Sequence, residues 1–291
     1  MAVSLRSLGL CVALVAGGGA AAAAQNAPSR SAQLPLQLFG NTYYVGTTEL
    51  ASILVTSPAG DALIDGGLPE SATEIERHIE QLGFHLSDVK VILNSHAHFD
   101  HAGGIALLQR ESGATVEALP WSAHVIETGT PAMDDPQYGV LKSFPPASHV
   151  RVIHDGDTVR VGPLALVAHQ TAGHTPSGTT WTWRSCERDR CVDVVYADSQ
   201  TPVSADGFFY TKSTRYTTGV RDFERGFDVI EHLPCDLLLT PHPGASSLWQ
   251  GVAKRDAGDT TALVDRDACR TFVKNARDAL ATRLETERRS P

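Results

Sequence analysis

The stretch NSHAHFDHAGG brings three histidines and an aspartate into six positions: His96, His98, Asp100 and His101. Neutral imidazole and carboxylate are the ligands a borderline ion such as Zn2+ takes, and a catalytic site usually adds an open position. His96 and His98 stand two apart at the end of the apolar run VKVIL. An extended backbone there can aim alternate side chains to the same side. Asp100 and His101 follow as the chain turns into a helix, toward a second position nearby. Two ions need about six ligands, and two downstream histidines make up the number. His174 lies in TAGHTPSGTTWTW and His242 in LLLTPHPGAS, each where a strand runs out into a turn. Six other histidines (His78, His85, His124, His149, His154 and His232) read as surface or capping residues, and His169 as a strand residue in the core or behind a ligand.

These residues need a scaffold that gathers strand ends. From residue 35, NTYYVGT, ASILVTSP and DALIDGG are short strands separated by Gly, Pro and Asp turns. SATEIERHIEQLGF reads as a helix with a capping box of Ser71 and Glu74 and a stop at Gly83. VKVILN is a buried strand, AGGIALLQRESG a helix closed by Gly113, and TVEALP another strand. The second half repeats the theme. RVIHDGDTVRVGPLALVAHQTAG, TTWTWRS and VDVVYADS are strands, VRDFERGFDVIEHL is a helix, CDLLLTPH is a strand, and 258–288 is one long charged helix. Two such halves predict an α/β fold, a four-layer αββα sandwich of two mixed sheets flanked by helices. Between them, residues 128–149 have no clear period, and so long a loop is more often functional than idle.

A net charge of −9 with no basic stripe argues against nucleic acid, whose binding relies on clustered Lys and Arg. The N-terminus MAVSLRSLGLCVALVAGGGAAAAAQ has one positive charge at Arg6, an apolar stretch from Leu8 to Ala16, and an A-x-A site at Ala22 and Ala24. It reads as a signal peptide, 1–24, too short and too rich in Gly and Ala to span a membrane. Residues 25–34 are then a disordered leader and 35–291 a single catalytic domain. Without Cys11 four cysteines remain, which allow three pairings. Cys186 and Cys191 bracket a polar tip that a bridge could close. Cys235 and Cys269 would then tie a strand to the C-terminal helix. Free buried thiols are the other reading, which an oxidising compartment disfavours.

The pattern H-x-H-x-D-H with a later His174 and His242 resembles the metallo-β-lactamase superfamily. In order, YYVGT, LIDGG, SHAHFDHAGG, AGHTPSGTTWTW, YADS and LTPHPGAS resemble subclass B3 metallo-β-lactamases over nearly the whole mature chain. That resemblance implies two zinc ions, one held by His96, His98 and His174, the other by Asp100, His101 and His242. Ser199 matches a serine where other subclasses place a cysteine ligand. With Thr201 it would bind a substrate carboxylate, and Tyr138, Leu141 and Phe144 would belong to a flap over the substrate. Asp65 would orient a ligand loop by hydrogen bonding. Asp198 is either structural or, as in other hydrolases of the superfamily, a metal-bridging ligand. HTPSG departs from the family's usual HTPGS, which predicts a differently shaped turn after His174.

The implied reaction is hydrolysis of a β-lactam antibiotic by a zinc-bound hydroxide that Asp100 helps to orient. The small-molecule substrate would be the partner, with no membrane contact after signal cleavage. A monomer exported to the periplasm is expected. A lactonase or thioesterase on the same scaffold is the first alternative, and a non-catalytic zinc-binding protein the second.

Overall fold

The computed structural model describes residues 34–289 and, by itself, Met1. The chain divides into Met1–Ser31 and Ala32–Pro291. Apart from Met1 and Leu34, the expected signal peptide and leader lie outside the described residues.

The first four strands form a meander: β1 (Leu36–Phe39), β2 (Thr42–Tyr44), β3 (Ile53–Val55) and β4 (Asp61–Ile64), each antiparallel to the next. Three parallel strands extend the sheet in sequence order: β5 (Val89–Leu93), β6 (Thr115–Ala118) and β7 (Arg151–Val152). Parallel neighbours need crossovers. Helices α1 (Ala72–Gln81), α2 (Phe99–Ala102), α3 (Ile105–Ser112) and α4 (Pro120–Thr128) supply them. The second sheet holds β8 (Thr158–Val161), β9 (Leu164–Gln170), β10 (Thr179–Glu187), β11 (Arg190–Tyr196) and β12 (Leu237–Leu239), in the order β12-β11-β10-β9-β8. α5 (Gly219–His232) crosses from β11 to the parallel β12, and α6 (Leu248–Asp256) and α7 (Ala268–Arg289) follow.

Strand periodicity decides how these parts stack. Ile53, Val55, Ala62, Ile64, Val91 and Leu93 face inward and meet Leu166, Trp181, Val194 and Leu239 of the second sheet. The alternate residues Leu54, Leu63 and Ile92 face outward against Ile75, Ile79, Ile105, Leu108 and Ile126 of the helices. On the far side, Val195 and Leu238 meet Phe223, Phe227 and Ile230 of α5 and Val273 and Leu280 of α7. Because side chains alternate faces, one strand lines two cores at once. Burying each large apolar side chain contributes roughly 1.5–3 kcal/mol. The four-layer αββα sandwich is the architecture the sequence predicts. Among the described residues no helix is long and apolar enough to cross a membrane.

Several local expectations are corrected. Ser71 forms no capping hydrogen bond, because a 3-10 turn at 69–71 already gives it helical angles (φ −75°, ψ −19°). Glu74 instead lies 3.5 Å from Arg77. The long C-terminal helix starts at Ala268 and not at 258. Ahead of it, Asp259 and Asp265 accept the amide N–H groups of Thr261 and Asp267, local turns that compete with helix. α4 and α6 escape the sequence reading, each being short, with weak helical periodicity. His78 is not a surface residue: it is buried in α1, its Nδ1 2.9 Å from the Val45 carbonyl. Of the three cysteine pairings the structure has Cys186–Cys191, across the β10–β11 hairpin, and Cys235–Cys269, from just before β12 to α7.

Candidate metal centre

Asp65, just beyond β4, fixes the loop that carries the histidine cluster. Its carboxylate accepts from Asn94 Nδ2 (3.0 Å), Ser95 N (2.7 Å), Ser95 Oγ (2.7 Å) and Tyr196 OH (2.7 Å). Burial raises its pKa to about 7 although all these donors pull it down. The second sheet holds the same loop from the other side. Thr179 N donates to the Ser95 carbonyl at 2.7 Å, and Trp181 Nε1 to that of Asn94 at 3.0 Å. His98 is still extended (φ −86°, ψ 156°). The N–H groups of His101 and Ala102 donate to its carbonyl and begin α2, which carries Asp100 and His101.

Two groups of ligand atoms result: His96, His98 and His174, and Asp100, His101 and His242, each with its atoms within 4.8 Å of one another. In the first group the rings stand 4.7 to 5.1 Å apart, centre to centre. In the second, His101 Nε2 lies 3.2 Å from His242 Nε2 and 3.3 Å from Asp100 Oδ2. The groups adjoin, with the His96 and His101 ring centres 4.4 Å apart.

Five imidazoles this close cannot all be charged. Burial drives His101 down to about 3, with Asp100 opposing and His242 and His98 adding to the fall. Burial and then His98 lower His174 to about 4, and burial followed by His101 and His98 holds His96 well below its usual value. Neutral imidazole is the form that binds metal. Asp100 is the reverse case: burial raises its carboxyl, but His101, His98 and His242 outweigh that and hold it below its ordinary value.

In the first group each histidine has one nitrogen held from behind. His96 Nδ1 lies 2.7 Å from Asp198 Oδ1, His98 Nε2 3.0 Å from Asp135 Oδ2, and His174 Nδ1 2.8 Å from the Thr201 carbonyl. Such partners fix ring orientation and tautomer in metal sites. The buried His96 Nε2 has no hydrogen-bond partner among the described residues, so a lone pair aimed into the group is left for an ion. His101 differs: its Nε2 faces the second group while its buried Nδ1 is unpartnered. The donor set therefore fits a divalent metal.

Asp198 is fully buried behind His96 and belongs to neither ligand group. A Cβ at Gly178, the glycine of HTPSG, would lie 2.1 Å from its Oδ2, so this chain needs glycine there. Thr201 is exposed and Ser199 partly so, and the Thr201 carbonyl is spent on His174. Tyr138 is 39% exposed with the Arg215 guanidinium over its ring, whereas Phe144 is buried in the core and anchors the loop instead of flanking the site. The sequence reading missed Asp135 and Gln137, whose Nε2 lies 3.3 Å from His174 Nε2. Their only signal was their place in the aperiodic segment, where burial could not be foreseen.

Residues 48–264 match the Metallo-beta-lactamase superfamily. The chain belongs to that superfamily. Within it, Rm3 metallo-beta-lactamase is 49% identical with a TM-score of 0.87, covering 90% of this chain and 97% of its own. MEM-A1, a subclass B3 metallo-beta-lactamase from a soil metagenome library, is 45% identical with a TM-score of 0.85, covering 87% and 96%. SMB-1 is 41% identical with a TM-score of 0.84, covering 89% and 99%. This superfamily member is thus B3-like over nearly all its described residues. It also matches a hydroxyacylglutathione hydrolase of a Bradyrhizobium species (33% identity over 50% of this chain) and ribonuclease TTHA0252 of Thermus thermophilus (29% over 55%). It spans less than half the length of these curated relatives, 47% and 41%.

Proposed function

We propose that the chain is an exported, zinc-dependent hydrolase that opens the β-lactam ring of penicillins, cephalosporins and carbapenems. The observation that carries this is the pair of adjoining ligand groups in a B3-like chain, with His96, His101 and His174 held neutral and Asp100 ionised. Two zinc ions bound there would polarise the lactam carbonyl and supply hydroxide at neutral pH, since a bound divalent ion lowers the pKa of water from about 15.7 to about 7. His96, His98 and His174 would hold one ion, and Asp100, His101 and His242 the other.

The chain's own residues do the rest. Asp100, ionised at neutral pH, accepts a hydrogen bond from the attacking water and points its lone pair at the carbonyl. Asp198 holds His96 in place and stays out of the metal shell. Asp65 keeps the 94–96 turn rigid. The hydroxyls of Ser199 and Thr201 donate to the substrate carboxylate, and Tyr138 covers its open side. We place the mature enzyme, as a monomer, in the periplasm, where its two disulfides suit an oxidising compartment.

The test is turnover of a chromogenic cephalosporin and a carbapenem by zinc-loaded protein, lost with a chelator and regained with zinc. No turnover of either, beside rapid hydrolysis of a lactone or thioester, would overturn the substrate assignment.

A further inference from the structure

We propose that Asp135 is a positioning residue that ties the loop between Gly129 and Val150 to the first ligand group through His98, so that metal occupancy and loop order are coupled. This rests on His96, His98 and His174 being metal ligands. Asp135 is 1% exposed although it lies in an irregular segment, and its two oxygens are used differently. Oδ2 is 3.0 Å from His98 Nε2, and Oδ1 accepts the Gln137 N–H at 2.7 Å. Its own N–H donates to Ala132 O (3.1 Å) and its carbonyl accepts Tyr138 N–H (3.0 Å), so the turn 132–138 is built around this residue. The other two histidines of the group take their partners from Asp198 and Thr201, in the stretch that follows β11. Of the three, only His98 takes a carboxylate partner from the loop, which also brings Gln137 Nε2 to 3.3 Å from His174 Nε2.

An imidazole that donates Nε2–H to a carboxylate presents its Nδ1 lone pair to the site. Coordination there polarises the ring and strengthens the N–H···O− bond, since hydrogen bonds to charged groups are the stronger ones. Linkage then runs both ways: whatever Asp135 adds to metal affinity, the metal adds to the stability of the turn. The loop has a separate anchor in Asp134 Oδ1, which accepts Trp121 Nε1 at 2.9 Å. The two attachments can therefore be cut independently.

The experiment measures zinc affinity by chelator competition and amide hydrogen exchange over residues 131–142, with and without zinc, for the parent, Asp135→Ala, Asp135→Asn and Asp134→Ala. In Asp135→Ala one zinc should bind roughly 10–100-fold more weakly, and the zinc-dependent slowing of loop exchange seen in the parent should vanish. Asn keeps one good acceptor, which serves either Gln137 N–H or His98, so Asp135→Asn should be intermediate in both readouts. Asp134→Ala leaves the Asp135–His98 contact in place, so it should loosen the loop while the zinc-dependent slowing of loop exchange persists. Parental affinity for both ions in Asp135→Ala, or zinc-dependent protection that survives it, would overturn the proposal. If circular dichroism shows Asp135→Ala unfolded, Asp135→Asn decides, with parental values in both readouts as the overturning result. A parent that binds two zinc ions, shows this coupling and opens no β-lactam would sink the substrate assignment and leave the coupling intact.

Discussion

The two ligand groups share chemistry but not surroundings. His96, His98 and His174 are buried, and each has its second nitrogen held by a carboxylate or carbonyl. In the other group the Asp100 side chain is 23% exposed and that of His242 50%. Among the described residues, His242, in a turn after β12, has no such partner behind it, and its Nε2 faces His101 and Asp100. A preorganised ligand loses less freedom on binding than one held loosely in water. The first group is thus preorganised to hold an ion more tightly than the more open second.

That difference can be broken most severely at the first group. His98→Ala should lower turnover of a chromogenic cephalosporin on the order of 10³-fold, several kcal/mol of lost charge stabilisation, with the far-ultraviolet dichroism unchanged. Substantial turnover with one zinc missing would show that the first ion is dispensable. His242→Ala should act on the other side, lowering bound zinc from two ions to one while chelator competition finds the tighter ion unaltered. If the tighter ion is the one lost, the ranking is reversed. Asp198→Asn tests preorganisation itself, since an amide can turn its NH2 toward His96 Nδ1. Affinity for the tighter ion should fall roughly 10–100-fold, with the weaker ion unaffected. Gly178→Ala should do the same indirectly, because the new methyl must displace Asp198 Oδ2.

The remaining prediction concerns the pH dependence of the zinc-free protein. His101 is held at about 3 when folded and titrates near 6.5 when unfolded. Between those values the unfolded chain binds a proton that the folded chain refuses, so stability falls as pH drops through that window. Asp65, raised to about 7, contributes with the opposite sign, losing stability as pH rises toward 7. The parent's curve therefore mixes both, and the difference from a variant isolates one. His101→Gln should flatten the loss on acidification by about 1.4 kcal/mol per pH unit. Chemical unfolding of stripped protein at a series of pH values measures it. An unchanged slope would mean that His101 is already protonated in the fold.

How much of this was legible before folding follows from the range of each interaction. The H-x-H-x-D-H spacing, the strand-end placement of His174 and His242, and the alternation that stacks the sheets are local in the sequence. They specified the ligand candidates and the four layers. Helix starts were less legible, because short side-chain turns such as those at Asp259 and Asp265 compete with helix at little cost in energy. Asp198 was a candidate from the sequence, but which partner stands behind which ligand could not be read, and Asp135 was not foreseen. Asp135 is 37 residues from His98, and Asp198 is 102 from His96. An aspartate in a loop is ordinary until packing removes its water. The sequence by itself determined which groups could bind metal and on what scaffold. Only the tertiary structure decided which nitrogen each histidine offers, because that choice depends on a buried partner supplied from elsewhere in the chain.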